Sequence, residues 1–88
     1  MHDTALAPAA PVIPVPAPAV RGRETLVRAG AALWRVVGRG GTVIGHLRVV
    51  EHPLGTRYRA ERLQAATARF LVVGEFWSAD EAVASLRV

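Results

Sequence analysis

The sequence predicts an α+β domain, in which a three- to four-stranded antiparallel sheet carries one C-terminal helix packed on one face. Short runs rich in β-branched and aromatic residues alternate with glycine and proline turns between residues 33 and 76. The stretch GEFWSADEAVASL, residues 74–86, then changes to a helical pattern. We expect residues 22–88 to form this domain, and residues 1–21 to form a disordered tail rich in proline and alanine.

The predicted tail contains five of the six prolines of the chain and one acidic residue. Proline has no backbone N–H and a fixed φ, so this segment is expected to be extended, with polyproline-like stretches. A secretory signal is not expected, because no positive charge precedes an apolar run. No run approaches the roughly 18 apolar residues of a membrane span, and cysteine is absent. These features favour a cytoplasmic protein without a membrane partner.

The first strands are predicted on either side of a glycine turn. Residues 25–28 fit either a short edge strand or a turn of helix. LWRVV (33–37) is a strand pattern, and GRGG (38–41) is a hairpin turn whose glycines accept positive φ. The following strand, residues 42–50, is interrupted by Gly45, which suggests a β-bulge.

The second half of the sheet follows the same pattern. EHPLGT (51–56) has proline and glycine in suitable turn positions. TRYRAERL (56–63) predicts the next strand, QAATA (64–68) a loop or helical turn, and RFLVVGEF (69–76) one further strand. The sheet is therefore expected to end beside the helix.

Alternation along these strands divides the side chains between two faces. The face expected to meet the helix carries Trp34, Val36, Val43, Leu47, Val49, Tyr58 and Ala60. The opposite face carries Arg35, His46, Arg48, Arg57 and Arg59. Val37 and Ile44 fall on the arginine face in this scheme, although a bulge at Gly45 would return Ile44 to the core.

The helix is predicted from its cap and its apolar stripe. Ser78 followed by Glu81 is a capping box, and Asp80 adds negative charge at the positive end of the helix dipole. Beyond the cap, apolar residues recur at three- and four-residue spacing, at Ala79, Ala82, Val83 and Leu86. Some nine residues are too few for a stable isolated helix. The helix is therefore expected to cover one face of the sheet.

Charge provides the main functional indication. All eleven basic residues are arginine, and seven acids leave a formal charge of +4. Guanidinium groups on adjacent strands fit phosphate geometry and can bind guanine in a major groove. The sequence therefore predicts a small DNA-binding or regulatory protein whose binding residues are Arg35, Arg48, Arg57 and Arg59. The alternative is that these arginines only solvate an exposed face.

Patterns for other chemistries are weak. His46 and His52, with Glu51 between them, match no standard metal-site spacing. Ser78 has no histidine base and acid in a triad arrangement, and its cap explains it. No helix follows the glycines of residues 38–41, so they do not form a phosphate-binding loop. We expect no enzymatic activity, no metal, no cofactor and no small-molecule substrate.

The pattern of strands and closing helix resembles a known family. A strand beginning WRV, a glycine turn, further strands and then FWSADEAVASL resemble the arm-type, AP2-like DNA-binding domains of tyrosine recombinases. The matching positions of the closing motif are Phe76, Ser78, Glu81, Ala82 and Leu86. The resemblance spans residues 33–88 and implies that the arginine face enters the major groove of double-stranded DNA.

Two features depart from that family. The stretch from residue 51 to residue 70 is longer than its pattern, and no catalytic recombinase domain follows. The chain also resembles short stand-alone proteins of high-GC actinobacteria. The alternative function, from a different class, is a protein–protein interaction module or phage-type inhibitor, including a homodimer. Self-association would supplement the small core of a domain without disulfides.

Overall fold

A computed structural model describes residues 13–87 as an antiparallel sheet followed by one helix. The five strands lie in the order of the sequence, each hydrogen-bonded to the next. They are β1 (Thr25–Gly30), β2 (Leu33–Val37), β3 (Val43–His52), β4 (Gly55–Gln64) and β5 (Arg69–Phe76). The helix, α1, spans Ala79–Ser85. The predicted α+β class with a C-terminal helix is confirmed.

The sheet has five strands, so the expectation of three to four is wrong. The additional strand is β1, for which the sequence left a helical turn open. Its register pairs Thr25 with Val37 and Arg28 with Trp34. β1 therefore gains its backbone partners from β2, and a segment too short for a stable helix becomes an edge strand.

Two tight turns have the predicted glycines. In the turn between β2 and β3, Gly38 N–H donates to the Thr42 carbonyl at 2.8 Å, and Gly41 has a φ of 84°. Gly55 opens β4 with a φ of 127°. Both values lie in the region that side chains with a Cβ rarely adopt. These turns set the register of the three central strands.

The predicted irregularity in β3 is present, displaced by one residue. Val36 pairs with Gly45 and Val37 pairs with Val43, so Ile44 occupies a bulge and packs against the core. Val43 shares the face of Val37, so its expected place in the core is wrong. A Cβ on Gly45 would overlap the Glu61 carbonyl oxygen and press on Leu86. Glycine thus permits close approach at this point.

The core lies between the sheet and α1, which contacts β3, β4 and β5. Ser78 caps the helix and accepts the Glu81 N–H at 3.2 Å, as predicted. Seven residues form the buried cluster: Val36, Leu47, Ala60, Ala79, Ala82, Val83 and Leu86. The sheet surface that α1 covers is the helix face, and the opposite surface is the open face.

Part of the predicted tail packs on the domain. Val15 N–H donates to the Ala31 carbonyl at 2.9 Å, Val20 packs against the core, and Arg21 N–H donates to Asp80 at 2.7 Å. Residues 15–21 therefore contact the domain at these three points, and the disorder of the tail stays a prediction. Proline has no backbone N–H to donate, but Val15 and residues 19–21 each have one. Residues 1–12 lie outside the described part.

The one helix found in residues 13–87 is too short to cross a lipid bilayer. A transmembrane helix requires about 20 residues.

Candidate functional site

The structure places all four predicted binding arginines on the open face. Arg35 lies on β2, Arg48 on β3, and Arg57 and Arg59 on β4. Arg48 and Arg59 are directly opposed across the β3–β4 ladder. Because the bulge at Ile44 precedes His46, the remainder of β3 alternates regularly and keeps Arg48 on this face.

Arg48 is held by Glu61, a buried carboxylate on β4. Its Nε donates to Glu61 Oε2 at 3.1 Å, and the Glu61 side chain is 10% exposed. His46 Nδ1 lies 3.5 Å from the other carboxylate oxygen. Burial lowers the pKa of His46, and this effect outweighs the opposite effect of Glu61. The ring is therefore neutral at neutral pH, and Arg48 supplies the positive charge that Glu61 requires.

Arg59 has a second carboxylate partner on β5. Its Nε and Nη2 donate to the same oxygen of Glu75, at 2.9 and 2.8 Å. Both side chains are about one third exposed, at 33% and 30%. The pair orients the guanidinium, although an ion pair this accessible to water stabilises the fold only weakly.

Arg57 is fixed without a carboxylate. Its Nη2 donates to the Glu75 carbonyl at 2.7 Å, and its guanidinium carbon lies 4.1 Å from the Trp77 ring centre. Its Nε is buried without a hydrogen-bond partner. The Trp77 ring itself remains 53% exposed. Arg57 and Trp77 thus form a pre-ordered cation–π pair at the end of the open face.

Arg35 differs from the other three arginines. It is exposed, and no hydrogen bond or ion pair to it is found within residues 13–87. Its cross-strand partner is His46. Four arginines against two glutamates leave the strands of the open face with a formal charge of +2. Arg35 is the guanidinium most available to a ligand.

Exposed apolar side chains lie among these charges. Val27 on β1 is 45% exposed, and Phe70 and Val72 on β5 are 37% and 63% exposed. The Phe70 ring stacks on His46 with centroids 3.7 Å apart and planes within 7°. The open face is therefore a mixed apolar and charged surface, whereas the sequence indicated a layer of arginine.

The contribution of β5 was missed by sequence reasoning. Residues 69–76 were predicted as a strand without a division between the two faces, yet Glu75 pairs with Arg59 on the open face. The reason is a bulge at Val73: Ala60 pairs with Gly74, but Glu61 pairs with Val72. Without the extra residue, Glu75 and Val72 would lie on opposite faces. Gly74 signals an irregularity, but a strand pattern alone does not give its register.

A cleft outside the open face runs along α1. It is lined by Arg21, Gly22, Asp80, Glu81, Ala84 and Arg87. Beside it, Arg87 donates to both Glu24 carboxylate oxygens at 2.8 Å, and these hydrogen bonds lower the pKa of Glu24 to about 2. No group of three potential metal ligands is found within the described residues.

No family model, curated protein or solved structure matches this chain. Function is therefore inferred from the geometry and chemistry of the open face.

Proposed function

We propose that the chain is a non-enzymatic protein–protein interaction module whose open face binds an acidic, partly apolar protein surface. The main observation in support is that exposed apolar side chains lie among arginines whose guanidinium groups are already oriented by Glu61, Glu75 and Trp77. Val72 and Trp77 expose more than half of their surface, and Arg59 is held by two hydrogen bonds to Glu75.

This composition suits a protein partner. The centres of protein interfaces are enriched in aromatic residues and arginine, and arginine and tryptophan are common among the residues that dominate binding energy. Orientation by Glu61, Glu75 and Trp77 reduces the side-chain entropy that binding would otherwise remove. The formal charge of +2 favours carboxylates on the partner's side, and Val27, Phe70 and Val72 offer apolar contacts.

Duplex DNA is the second candidate, because the open face is positively charged. DNA affinity arises mainly from cations that replace counterions at phosphates. Arg48 and Arg59 already face carboxylates 2.8–3.1 Å away, which would repel a phosphate. Exposed apolar groups such as Val72 would gain little from a phosphate backbone. These contacts favour the protein partner.

One observation still supports DNA binding. Arg35 is exposed without an ion pair in the described structure, and Arg48 is 41% exposed next to it on β3. With the resemblance to AP2-like domains, these two arginines are candidates for phosphate or guanine contacts. A regulatory protein that binds DNA would then use the part of the open face formed by β2 and β3.

Site-specific cross-linking tests the proposed function. We would replace Val72 with the photoreactive residue benzoylphenylalanine in the full chain, in its own host, and irradiate the cells. The matched position is Ala84, which is exposed on α1. We expect a discrete protein adduct from position 72 and none from position 84. Equal adducts from both positions, or none from either, would contradict the proposal.

Duplex DNA binding separates the two candidates. Fluorescence anisotropy against salt concentration should show no saturable binding at low salt if the open face binds protein. For the second candidate, Arg35→Ala should reduce the salt slope by about one unit. Arg39→Ala is the control, because Arg39 is exposed in the β2–β3 turn. Saturable binding that Arg35→Ala weakens and Arg39→Ala does not would make DNA the leading candidate.

A further inference from the structure

The outer edge of β5 carries an uninterrupted apolar run. Phe70, Leu71, Val72 and Val73 are consecutive, and their exposed fractions are 37%, 50%, 63% and 39%. β5 is eight residues long and, as the last strand in the sheet order, pairs with β4 alone within the described structure. Half of its backbone groups therefore point away from the sheet without a strand partner.

The opposite edge is protected. β1 has six residues, and Arg28 donates to the carbonyls of Gly30, Ala31 and Val15. Val15 also donates its N–H to Ala31. A charged side chain and a covering segment are common ways to prevent edge-to-edge pairing. Neither charge nor proline occurs within residues 70–73, so the two edges differ in this protection.

We propose that β5 pairs with β5 of a second copy of this chain, antiparallel and around a two-fold axis. The unpaired backbone edge selects a β-strand as its occupant, since strand addition satisfies the free N–H and carbonyl groups. The inference rests on the proposed function, because Phe70 and Val72 belong to both surfaces. It adds a second copy of the chain, joined at β5, to the module whose open face binds the acidic partner.

Charge favours the antiparallel orientation. Arg69 begins β5, and a parallel in-register pair would place the two Arg69 side chains next to each other. In an antiparallel pair they lie at opposite ends of the shared ladder. A two-fold axis at Leu71 places Phe70 opposite Val72 of the second copy and keeps Leu71 opposite itself. These pairs lie on the regular side of the Val73 bulge.

The symmetric pair extends the sheet. A two-fold axis perpendicular to the sheet keeps both open faces on one side and joins them into one continuous surface. Stable interfaces commonly bury about 800 Å² on each partner. A single strand edge with four apolar side chains buries less than this. We therefore expect a reversible dimer whose population rises with protein concentration.

Molar mass in solution tests the pairing. Sedimentation equilibrium of the full chain should give a mass that rises towards two copies across the micromolar range. Val72→Lys and Leu71→Lys should each restore the mass of one copy, because a charge on the edge opposes pairing. Val27→Lys is the matched control, since Val27 is an exposed valine on the other edge strand. It should leave the dimer unchanged.

Cysteine cross-linking tests the geometry of the pair. The natural chain has no cysteine, so a single introduced one can pair only with its copy. Residues directly opposed in an antiparallel ladder have Cα atoms about 4.5–5.5 Å apart, within disulfide range. Leu71→Cys should form a disulfide-linked dimer under mild oxidation at a rate well above that of Val27→Cys. Equal rates would contradict pairing at β5.

The outcomes separate this inference from the proposed function. A chain that stays monomeric at all concentrations overturns β5 pairing, and a cross-link from position 72 to another protein would still support the interaction module. A dimer that Val27→Lys dissociates, and Val72→Lys does not, also overturns it and indicates contact through the β1 side. A dimer dissociated only by the β5 variants supports the inference even if no other protein is cross-linked.

Discussion

The two faces of the sheet follow the same alternation of residues, but one face is buried and the other is accessible to water. On the helix face, Trp34 and Leu47 are opposed on β2 and β3 and are at most 1% exposed. On the open face, Arg48 and Arg59 are opposed on β3 and β4, and both guanidiniums remain accessible beside their carboxylates. The first pair is removed from water by packing, whereas the second remains hydrated.

This difference separates stability from recognition. Burial of a large apolar side chain stabilises a fold by about 1.5–3 kcal/mol. An exposed ion pair contributes about 0–1 kcal/mol. The free energy of folding therefore comes chiefly from the helix face, and the open face can vary with small effects on the fold. The residues of the open face can therefore be suited to binding a partner without a large loss of stability.

The largest expected effect is a truncation on the helix face. Trp34→Ala or Leu86→Ala should lower the free energy of unfolding by about 2–5 kcal/mol, since each removes a fully buried apolar side chain. Val72→Ala on the open face should change it by less than about 0.5 kcal/mol. Urea denaturation measures all three. Similar losses for Val72 and Trp34 would show that the open face is also a packed surface.

The two ion pairs of the open face should differ from each other. Arg48→Ala leaves Glu61, which is 10% exposed, without its cationic partner, and should cost about 1–3 kcal/mol. Arg59→Ala leaves Glu75, which is 30% exposed and accessible to water, so about 0–1 kcal/mol is expected. Chemical denaturation of both variants at neutral pH compares them. An equal cost would show that burial of the carboxylate does not decide the effect.

Removal of residues 1–21 tests how much the contacts at the margin of the helix face stabilise the domain. The truncated chain loses the Val20 packing and the hydrogen bonds of Val15 and Arg21, so we expect a loss of about 1–2 kcal/mol. In a domain of this size, each kcal/mol lowers the melting temperature by roughly 4–8 °C. Differential scanning calorimetry measures the shift. An unchanged melting temperature would show that these contacts do not stabilise the domain.

The helix cap has a smaller expected effect. Ser78→Ala removes the acceptor for the Glu81 N–H and should cost about 1 kcal/mol. Ser78→Asp keeps an acceptor at the same position and should restore most of the loss. Thermal denaturation followed by circular dichroism compares the three proteins. If alanine and aspartate behave alike, α1 is held by its apolar contacts alone.

A pH titration probes the ion pair beside the C-terminal end of α1. Hydrogen bonds from Arg87 lower the pKa of Glu24 from 4.5 to about 2. The folded state therefore favours the ionised form, and the added stability is present above about pH 4.5 and is lost as the pH falls towards 2. The stability difference between the natural chain and Glu24→Gln should shrink over this range. A difference that is constant with pH would contradict the pairing.

Much of the fold is predictable from local sequence. The strands from Leu33 to Phe76 follow from period-two alternation and glycine turns, and α1 follows from Ser78 and the stripe ending at Leu86. β1 was left open, because a short segment such as residues 25–28 has no local property that excludes either state. Its partner, β2, decides between them by supplying hydrogen bonds.

The candidate site was predictable in part. Arg57 and Arg59 share a face because they are two apart on one strand, and the position of Arg35 and Arg48 follows once β2 and β3 pair. Glu75 and Trp77 could not be assigned to this face in advance. Their positions depend on the bulge at Val73, which shifts every later side chain of β5.

The sequence by itself determined the α+β class, the C-terminal helix, the cap at Ser78 and the common face of Arg57 and Arg59, because these depend on spacing within one segment. Tertiary structure alone decided the fifth strand, the packing of Val20 and the ion pairs that hold Arg48 and Arg59. Each of these depends on contacts between residues distant in the chain, where register and bulges set which side chains meet. Local periodicity carries no information about that register.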